Sequence, residues 1–353
     1  MPEILHVGPS LAPVAILIPA YNAATYLAQA IESVLRQTHR DFDLLILDDA
    51  STDNTQEVAR RYLADPRVSY LRNERNLGMS ANWNKGLSIL RNEFIAKLDA
   101  DDYYEPGFLA EVLPVFENDL EVGLVFTGVN WISSEERDVL FYTNKWVCEG
   151  RSFLQNLLRL CVLFSPTICV RRQCYSRLGG FLDKMRIHSD WEMWIRICCH
   201  SKVGYVNKVL ATYRKHSANC TAASKTDSRT PDDFAFWLGK LDRGELPYTL
   251  APDERKLLEQ SMVLTVRSLL YATLFSGGNQ PALACAQFLA ARLWIPWWER
   301  MRYQALITSL CRLGKPIRFM TRGRGFTESW WKLEDCIRMQ LPANDPMAAL
   351  TVS

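Results

Sequence analysis

The sequence predicts an α/β protein, with a mostly parallel sheet flanked by helices and a helical extension at the C-terminal end. Three observations predict it. Short apolar runs alternate with helix-period segments over the first 130 residues. Polar clusters follow directly after three of those runs, and helical patterns continue from about Pro252 to Ser309.

The elements follow in order. Val14 to Ile18 is a continuous apolar run, expected as a buried strand that Pro19 ends. Leu27, Ile31, Val34 and Leu35 repeat at helical spacing within Ala24 to Gln37. Phe42 to Leu47 is a second strand, and Asp53 is expected to cap a helix reaching about Ala64. Val68 to Leu71 is a third strand, Met79 to Leu90 a helix, and Glu93 to Leu98 a fourth strand. Pro106 suits the first turn of a helix through about Glu117, and Gly123 to Val129 is a fifth strand. Residues 131–160 are less regular. Ser189 to Cys199 is a strongly aromatic helix, and Ser217 to Pro252, rich in Thr, Ser, Asp and Pro, is expected as loop or linker.

In open α/β sheets, ligands bind beyond the carboxyl ends of the strands. Here those positions hold Pro19-Ala20-Tyr21-Asn22, Asp48-Asp49-Ala50-Ser51 and Asp99-Ala100-Asp101-Asp102. Packed carboxylates repel one another unless a cation neutralises them, and hard oxygen ligands favour Mg²⁺ or Mn²⁺. Read alone, each acidic turn is also an ordinary helix cap. Two acidic strand ends on one sheet edge strengthen the reading of a metal and phosphate site. Tyr21 adds a ring that can stack on a base, or pack as a core aromatic.

The ordered motifs IPAYN (18–22), DDASTDNT (48–55), RNxxNLGxSxxxN (72–84), LDADD (98–102), LGGF (178–181), SDWEMWIR (189–196) and YRKH (213–216) resemble the family 2 glycosyltransferases of the GT-A fold. The resemblance covers residues 12–220 and implies a GT-A type, Rossmann-like catalytic domain there. Residues 221–251 then form a linker, and residues 252–345 a helical C-terminal region. It further implies a metal-dependent enzyme with Mn²⁺ or Mg²⁺, using a nucleotide-sugar donor, UDP- or dTDP-linked. Pro19, Ala20, Tyr21, Asn22, Asp49, Asn76, Gly78, Asp99, Ala100 and Asp101 would border the donor. Asp101 would be the main metal ligand, with Asp99 and His216 as further ligands. Asp102 either helps or caps.

Transfer with inversion needs a base opposite the leaving diphosphate. The resemblance assigns that role to Asp190, which on sequence alone is equally a helix cap. Family members usually carry Glu-Asp at this point, where this chain has Ser189-Asp190. His188 stands next to the proposed base. Trp191 and Trp194 are candidates for a sugar platform or for core packing, and Arg214 for a phosphate contact or a surface ion pair.

The composition, 48% hydrophobic and 23% charged over 353 residues with a net charge of +2, is that of a globular protein and gives no whole-chain sign of a polyanionic partner. Ten scattered cysteines without a CxxC pair are expected as reduced thiols. The N-terminal residues show no signal-peptide pattern, and Arg267 interrupts the most apolar late stretch, so the expected location is cytoplasmic. Between Arg292 and Arg324 stand eight Lys or Arg, one acid, and Trp294, Trp297 and Trp298. This stretch is either a helical core with a solvated basic face or a peripheral contact with the inner face of a membrane. Nucleic acid is disfavoured, because no nucleic-acid motif accompanies the charge.

The expected acceptor is a saccharide or lipid-linked glycan, in surface polysaccharide biosynthesis. A nucleotidyltransferase is disfavoured because Pro-Ala-Tyr-Asn stands where a Gly-rich, basic phosphate loop belongs. A non-catalytic sugar or nucleotide binding protein would need no base. A processive synthase would carry a QxxRW motif, which is not found.

Overall fold

The computed structural model describes residues 4–5, 13–133, 137–142, 144–216, 219, 229–276, 279–292, 295–313 and 350–352. Its strands are β1 Ile4–Leu5, β2 Val14–Ala20, β3 Phe42–Asp48, β4 Val68–Arg72, β5 Phe94–Lys97, β6 Tyr103–Tyr104, β7 Val122–Ile132, β8 Arg137–Tyr142, β9 Trp146–Cys148, β10 Ile168–Arg171, β11 Lys202–Arg214 and β12 Leu350–Val352. Its helices are α1 Leu27–Leu35, α2 Thr55–Arg60, α3 Met79–Ile89, α4 Phe108–Asn118, α5 Gly150–Arg159, α6 Arg172–Leu178, α7 Ser189–Cys198, α8 Arg229–Asp242, α9 Pro252–Ser276, α10 Asn279–Ala290 and α11 Trp297–Leu313.

The expected α/β architecture is present. The main sheet runs β1-β4-β3-β2-β5-β10-β7-β11-β6. Strands β4, β3, β2 and β5 are parallel neighbours. β10 is antiparallel to both β5 and β7, and β11 is parallel to β7. Six strands therefore point the same way, and their carboxyl ends share one edge. Both faces are buried, as a helix-flanked sheet requires. Along β2, Ala15 and Leu17 enter one core cluster while Val14, Ile16 and Ile18 enter the other.

Three expectations change. β2 continues through Pro19 to Ala20 rather than ending before it. Its pairing with β5 stops at Leu17, so the missing N–H of proline falls where β2 has only β3 beside it. Asp53 is not the cap of α2: that position is Asn54, and Asp53 instead accepts from Thr55 and from the Ala24 N–H. The stretch expected as loop or linker contains α8, whose Phe234, Trp237 and Leu238 are buried at helical spacing. These side chains share one core cluster with Leu154 of α5, Trp191 of α7, Met262 of α9, Ala282 of α10 and Leu306 of α11.

Candidate active site

The loop after β2 and the loop after β3 are laced together. The Asn22 N–H donates to Ser51 Oγ at 2.9 Å, the Ala23 N–H donates to Thr55 Oγ1 at 2.8 Å, and the Thr52 N–H donates to Asn22 Oδ1 at 2.8 Å. Asn22 and Ala50 both sit at positive φ, 51° and 62°, which non-glycine residues rarely adopt. Buried Asp48 holds the second turn. Its carboxylate accepts from Ser51 Oγ (2.5 Å), the Ser51 N–H (2.9 Å), Tyr70 Oη (2.6 Å) and Arg72 (3.0 Å). Tyr21 is left 52% exposed above these turns.

Asp49 is buried and reaches the third loop. It accepts from the Leu77 N–H at 2.8 Å, the Gly78 N–H at 2.9 Å and Asn73 Nδ2 at 2.7 Å. Gly78 has φ of 86° as the chain turns into α3, and Asn76 Oδ1 also accepts its N–H. The structure thus brings Pro19 to Asn22, Asp49, Asn76 and Gly78 onto one edge.

The acidic turn after β5 divides its three carboxylates among different partners. Asp99 pairs with Lys97 Nζ at 2.6 Å, and that buried ammonium also lies 4.0 Å from the centre of the Trp83 ring. Asp101 Oδ2 lies 3.0 Å from His216 Nε2 and accepts from Asn219 at 2.7 Å. Burial, then the charge of Asp99, raises the Asp101 carboxyl above its ordinary range. Asp102 is fully enclosed: Oδ1 accepts the Arg214 N–H at 2.8 Å, and Oδ2 has no hydrogen-bond partner among the described residues. Burial, then Asp101 and Asp99, pushes this carboxyl well up. Asp102 ties the end of β11 to the acidic turn. Ala100 is buried between these carboxylates in the chain.

Asp101 and His216 thus converge, while Asp99 is held by Lys97. Among the described residues no group of three or more His, Cys, Asp or Glu converges on one point. Mg²⁺ and Mn²⁺ accept one or two protein ligands when phosphates supply the rest, so one carboxylate and one imidazole fit such an ion. Arg214 lies between the Tyr26 and Tyr103 rings, 5.0 and 4.9 Å from their centres, and donates to Gln29.

Asp190 lies in the first turn of α7, whose cap position is His188, so Asp190 is not the cap residue. It is partly buried, and one oxygen accepts the Trp191 N–H at 2.7 Å. Burial raises its carboxyl above the ordinary range; nearby Lys97 and His188 act the other way. Lys97 therefore acts electrostatically on both Asp99 and Asp190. Ser189, where the resemblance implies an acid, is buried and shares a 2.8 Å hydrogen bond with Ser80 at the start of α3. That bond links the α7 terminus to the helix that follows the Gly78 turn. Trp191 and Trp194 are both core residues, and Trp191 donates to the Leu157 carbonyl at 2.7 Å.

Sequence reasoning missed Lys97, Asn219 and the organising role of Asp48. Lys97 stands inside an apolar strand, Asn219 inside a polar stretch, and Asp48 read as part of a cap. Only Lys97 left a signal, a charge two residues before an acidic turn.

Residues 15–174 match the family model described as glycosyl transferase family 2. A chondroitin synthase of Escherichia coli is 28% identical over 241 residues, which is 68% of this chain and 34% of the synthase. The chain thus spans about a third of that relative's length. TarS of S. aureus superposes with a TM-score of 0.60 at 16% identity, over 85% of this chain and 51% of TarS. The mannosyltransferase PcManGT of Pyrobaculum calidifontis, in complex with GDP-Man and Mn²⁺, gives 0.52 at 18% identity, over 88% and 83%. These superpositions establish the GT-A architecture. The family match over residues 15–174, the ordered strand-end residues and these superpositions together support a family 2 glycosyltransferase of the GT-A fold.

Proposed function

We propose that the chain is an inverting glycosyltransferase, moving a sugar from a UDP- or dTDP-sugar to a hydroxyl of a saccharide or lipid-linked glycan. One observation carries this reading. Two carboxylates occupy different settings, Asp101 beside His216 and Asp190 at the start of α7, with Lys97 acting on Asp190 and paired to Asp99. A leaving-group site and a separate base are what inversion requires.

In this reading the nucleoside lies along Pro19 to Asn22, with Tyr21 stacking on the base. Asp49 acts by holding Asn76 to Gly78 in place. Asp101 and His216 would hold Mn²⁺ or Mg²⁺, with Asp99 as a further ligand. A bound divalent ion would neutralise charge on the departing diphosphate. Asp190 takes the acceptor hydroxyl proton as that oxygen bonds to the anomeric carbon and the sugar–phosphate bond breaks. The chondroitin synthase relative, itself named for a polysaccharide, supports a setting in polysaccharide biosynthesis. Exposed Trp297, Trp298 and Met301 on α11 support a peripheral contact with a membrane that carries the acceptor.

The test is a screen of UDP-, dTDP- and GDP-sugars for nucleotide release and thermal stabilisation with and without Mn²⁺. A UDP- or dTDP-sugar should give a metal-stimulated signal. Asp101→Ala should lose the metal stimulation, lowering turnover by about 10²- to 10³-fold, in the range of removing one electrostatic stabiliser of a leaving group. Full metal-stimulated turnover in that variant would refute the assignment of Asp101.

A further inference from the structure

Asp233 is 1% exposed, on α8, outside the segment that matches the family model. Its carboxylate accepts three successive main-chain N–H groups just before α7. The Arg186 N–H lies 2.9 and 3.1 Å from its two oxygens, the Ile187 N–H 2.8 Å from Oδ2, and the His188 N–H 3.0 Å from Oδ2. The His188 ring adds a fourth approach, with Nδ1 3.5 Å from the same oxygen, and packs on Phe234 with ring centres 4.5 Å apart. Consecutive N–H groups aimed at one anion form a rigid concavity, and a charged acceptor makes each bond stronger than a neutral one would. Two residues beyond this cradle stands Asp190.

We infer that Asp233 is a positioning residue: it clamps the 186–188 backbone and thereby fixes where α7 presents Asp190 to the acceptor hydroxyl. The inference rests on the reading of Asp190 as the base. Neighbouring Asp232 supplies a built-in contrast, since it makes a half-exposed ion pair with Arg186 and takes no part in the cradle. An asparagine at 233 keeps the size of the side chain but exchanges an acceptor oxygen for a donor nitrogen. That nitrogen cannot receive the Arg186 N–H now shared between two oxygens, and loss of the charge weakens the Ile187 and His188 N–H bonds to the remaining oxygen. The 186–188 turn then loosens, and a base displaced by about 1 Å can cost 10²-fold in rate.

The experiment measures UDP release from a panel of UDP-glucose, UDP-galactose, UDP-GlcNAc, UDP-GalNAc and UDP-glucuronate, with calorimetric binding of UDP and amide hydrogen exchange on the full chain. Asp233→Asn should lower kcat by about 10- to 100-fold, the range expected for a misplaced catalytic group, with KM and UDP affinity unchanged. Exchange should quicken at residues 186–190. Asp233→Glu, which restores the charge, should recover part of kcat, and Asp232→Asn should behave as wild type. A normal kcat in Asp233→Asn overturns the inference. So does a parallel loss of kcat and UDP binding in both Asp233 variants, which would mark a fold defect instead. Absence of nucleotide release by the wild-type chain, with these donors and with dTDP-sugars and with either metal, counts against the functional reading itself and is thereby distinguished.

Discussion

As the proposed base, Asp190 would have to be ionised to accept a proton, and burial raises the pH at which it ionises. The rate of transfer should therefore fall as pH drops through that raised value, and Asp190→Asn should flatten this acid limb while lowering kcat by about 10²- to 10⁴-fold. The stability consequence has the opposite sign. A carboxyl whose folded pKa exceeds its unfolded value favours the fold when protonated, and that contribution is lost as pH rises through the folded pKa. At neutral pH the variant should melt no lower than wild type while losing transfer, checked by a pH–rate profile beside thermal unfolding. A variant that keeps its acid limb, or melts well below wild type, would remove Asp190 from the role. Ala50 points the same way: a strained alanine at φ of 62° persists because Asp48 and Ser51 over-determine its turn.

At the scale of elements, motifs far apart in sequence prove to be single contacts. Asn84, last residue of the 72–84 motif, brackets the LGGF turn by accepting the Phe181 N–H at 2.7 Å and donating to the Phe181 carbonyl at 2.8 Å. A Cβ on Gly180 would come within 2.3 Å of Asn84 Oδ1, so this approach requires glycine. Ser80 and Ser189 join α3 to α7 in the same manner. The stretch from Arg292 to Arg324 is described only in part: residues 293–294, Trp294 among them, and 314–324 lie outside the described residues. Within α11, Trp297 is 74% exposed and Trp298 46%, with the Arg302 guanidinium 5.1 Å from the Trp298 ring. Exposed tryptophans beside arginine suit an anionic lipid surface, as the proposed membrane contact requires. The full chain should sediment with vesicles containing phosphatidylglycerol and stay free of pure phosphatidylcholine vesicles. A Trp297→Glu, Trp298→Glu double variant should be released, and equal recovery with both lipids would end the membrane reading. Among the described residues no helix is long and apolar enough to cross a membrane.

For the whole molecule, the decisive feature is that one core cluster runs from the sheet through α5 and α7 to α8, α9, α10 and α11. Trp237 belongs to it, fully buried, donating to Tyr248 Oη at 2.9 Å and meeting the Trp191 ring edge-on at 5.6 Å. Trp237→Ala should cost about 3–5 kcal/mol, as for other large-to-small core changes. It should do so within one cooperative transition seen equally by far-UV and tryptophan signals. Two separated transitions would instead support a linker between independent units at residues 221–251.

The strands, the helix periods and the acidic strand ends were legible because backbone geometry imposes periods of 2 and 3.6 on any buried face. The order of motifs carried the resemblance to family 2 glycosyltransferases, which the match over residues 15–174 supports. The sequence could not show α8 as easily, because its polar beginning at Arg229 to Asp233 masked the spacing of Phe234, Trp237 and Leu238. Nor could it apportion three adjacent aspartates. Whether Asp99 meets Lys97, Asp101 meets His216, or Asp102 is shut inside against the Arg214 N–H depends on residues up to 115 positions away. Such pairings are long-range contacts set by how layers pack, and burial then decides each carboxylate's charge. The sequence by itself determined which groups arrive at the sheet edge. Only the tertiary structure decided which of them face each other, because the partners come from different strands and helices.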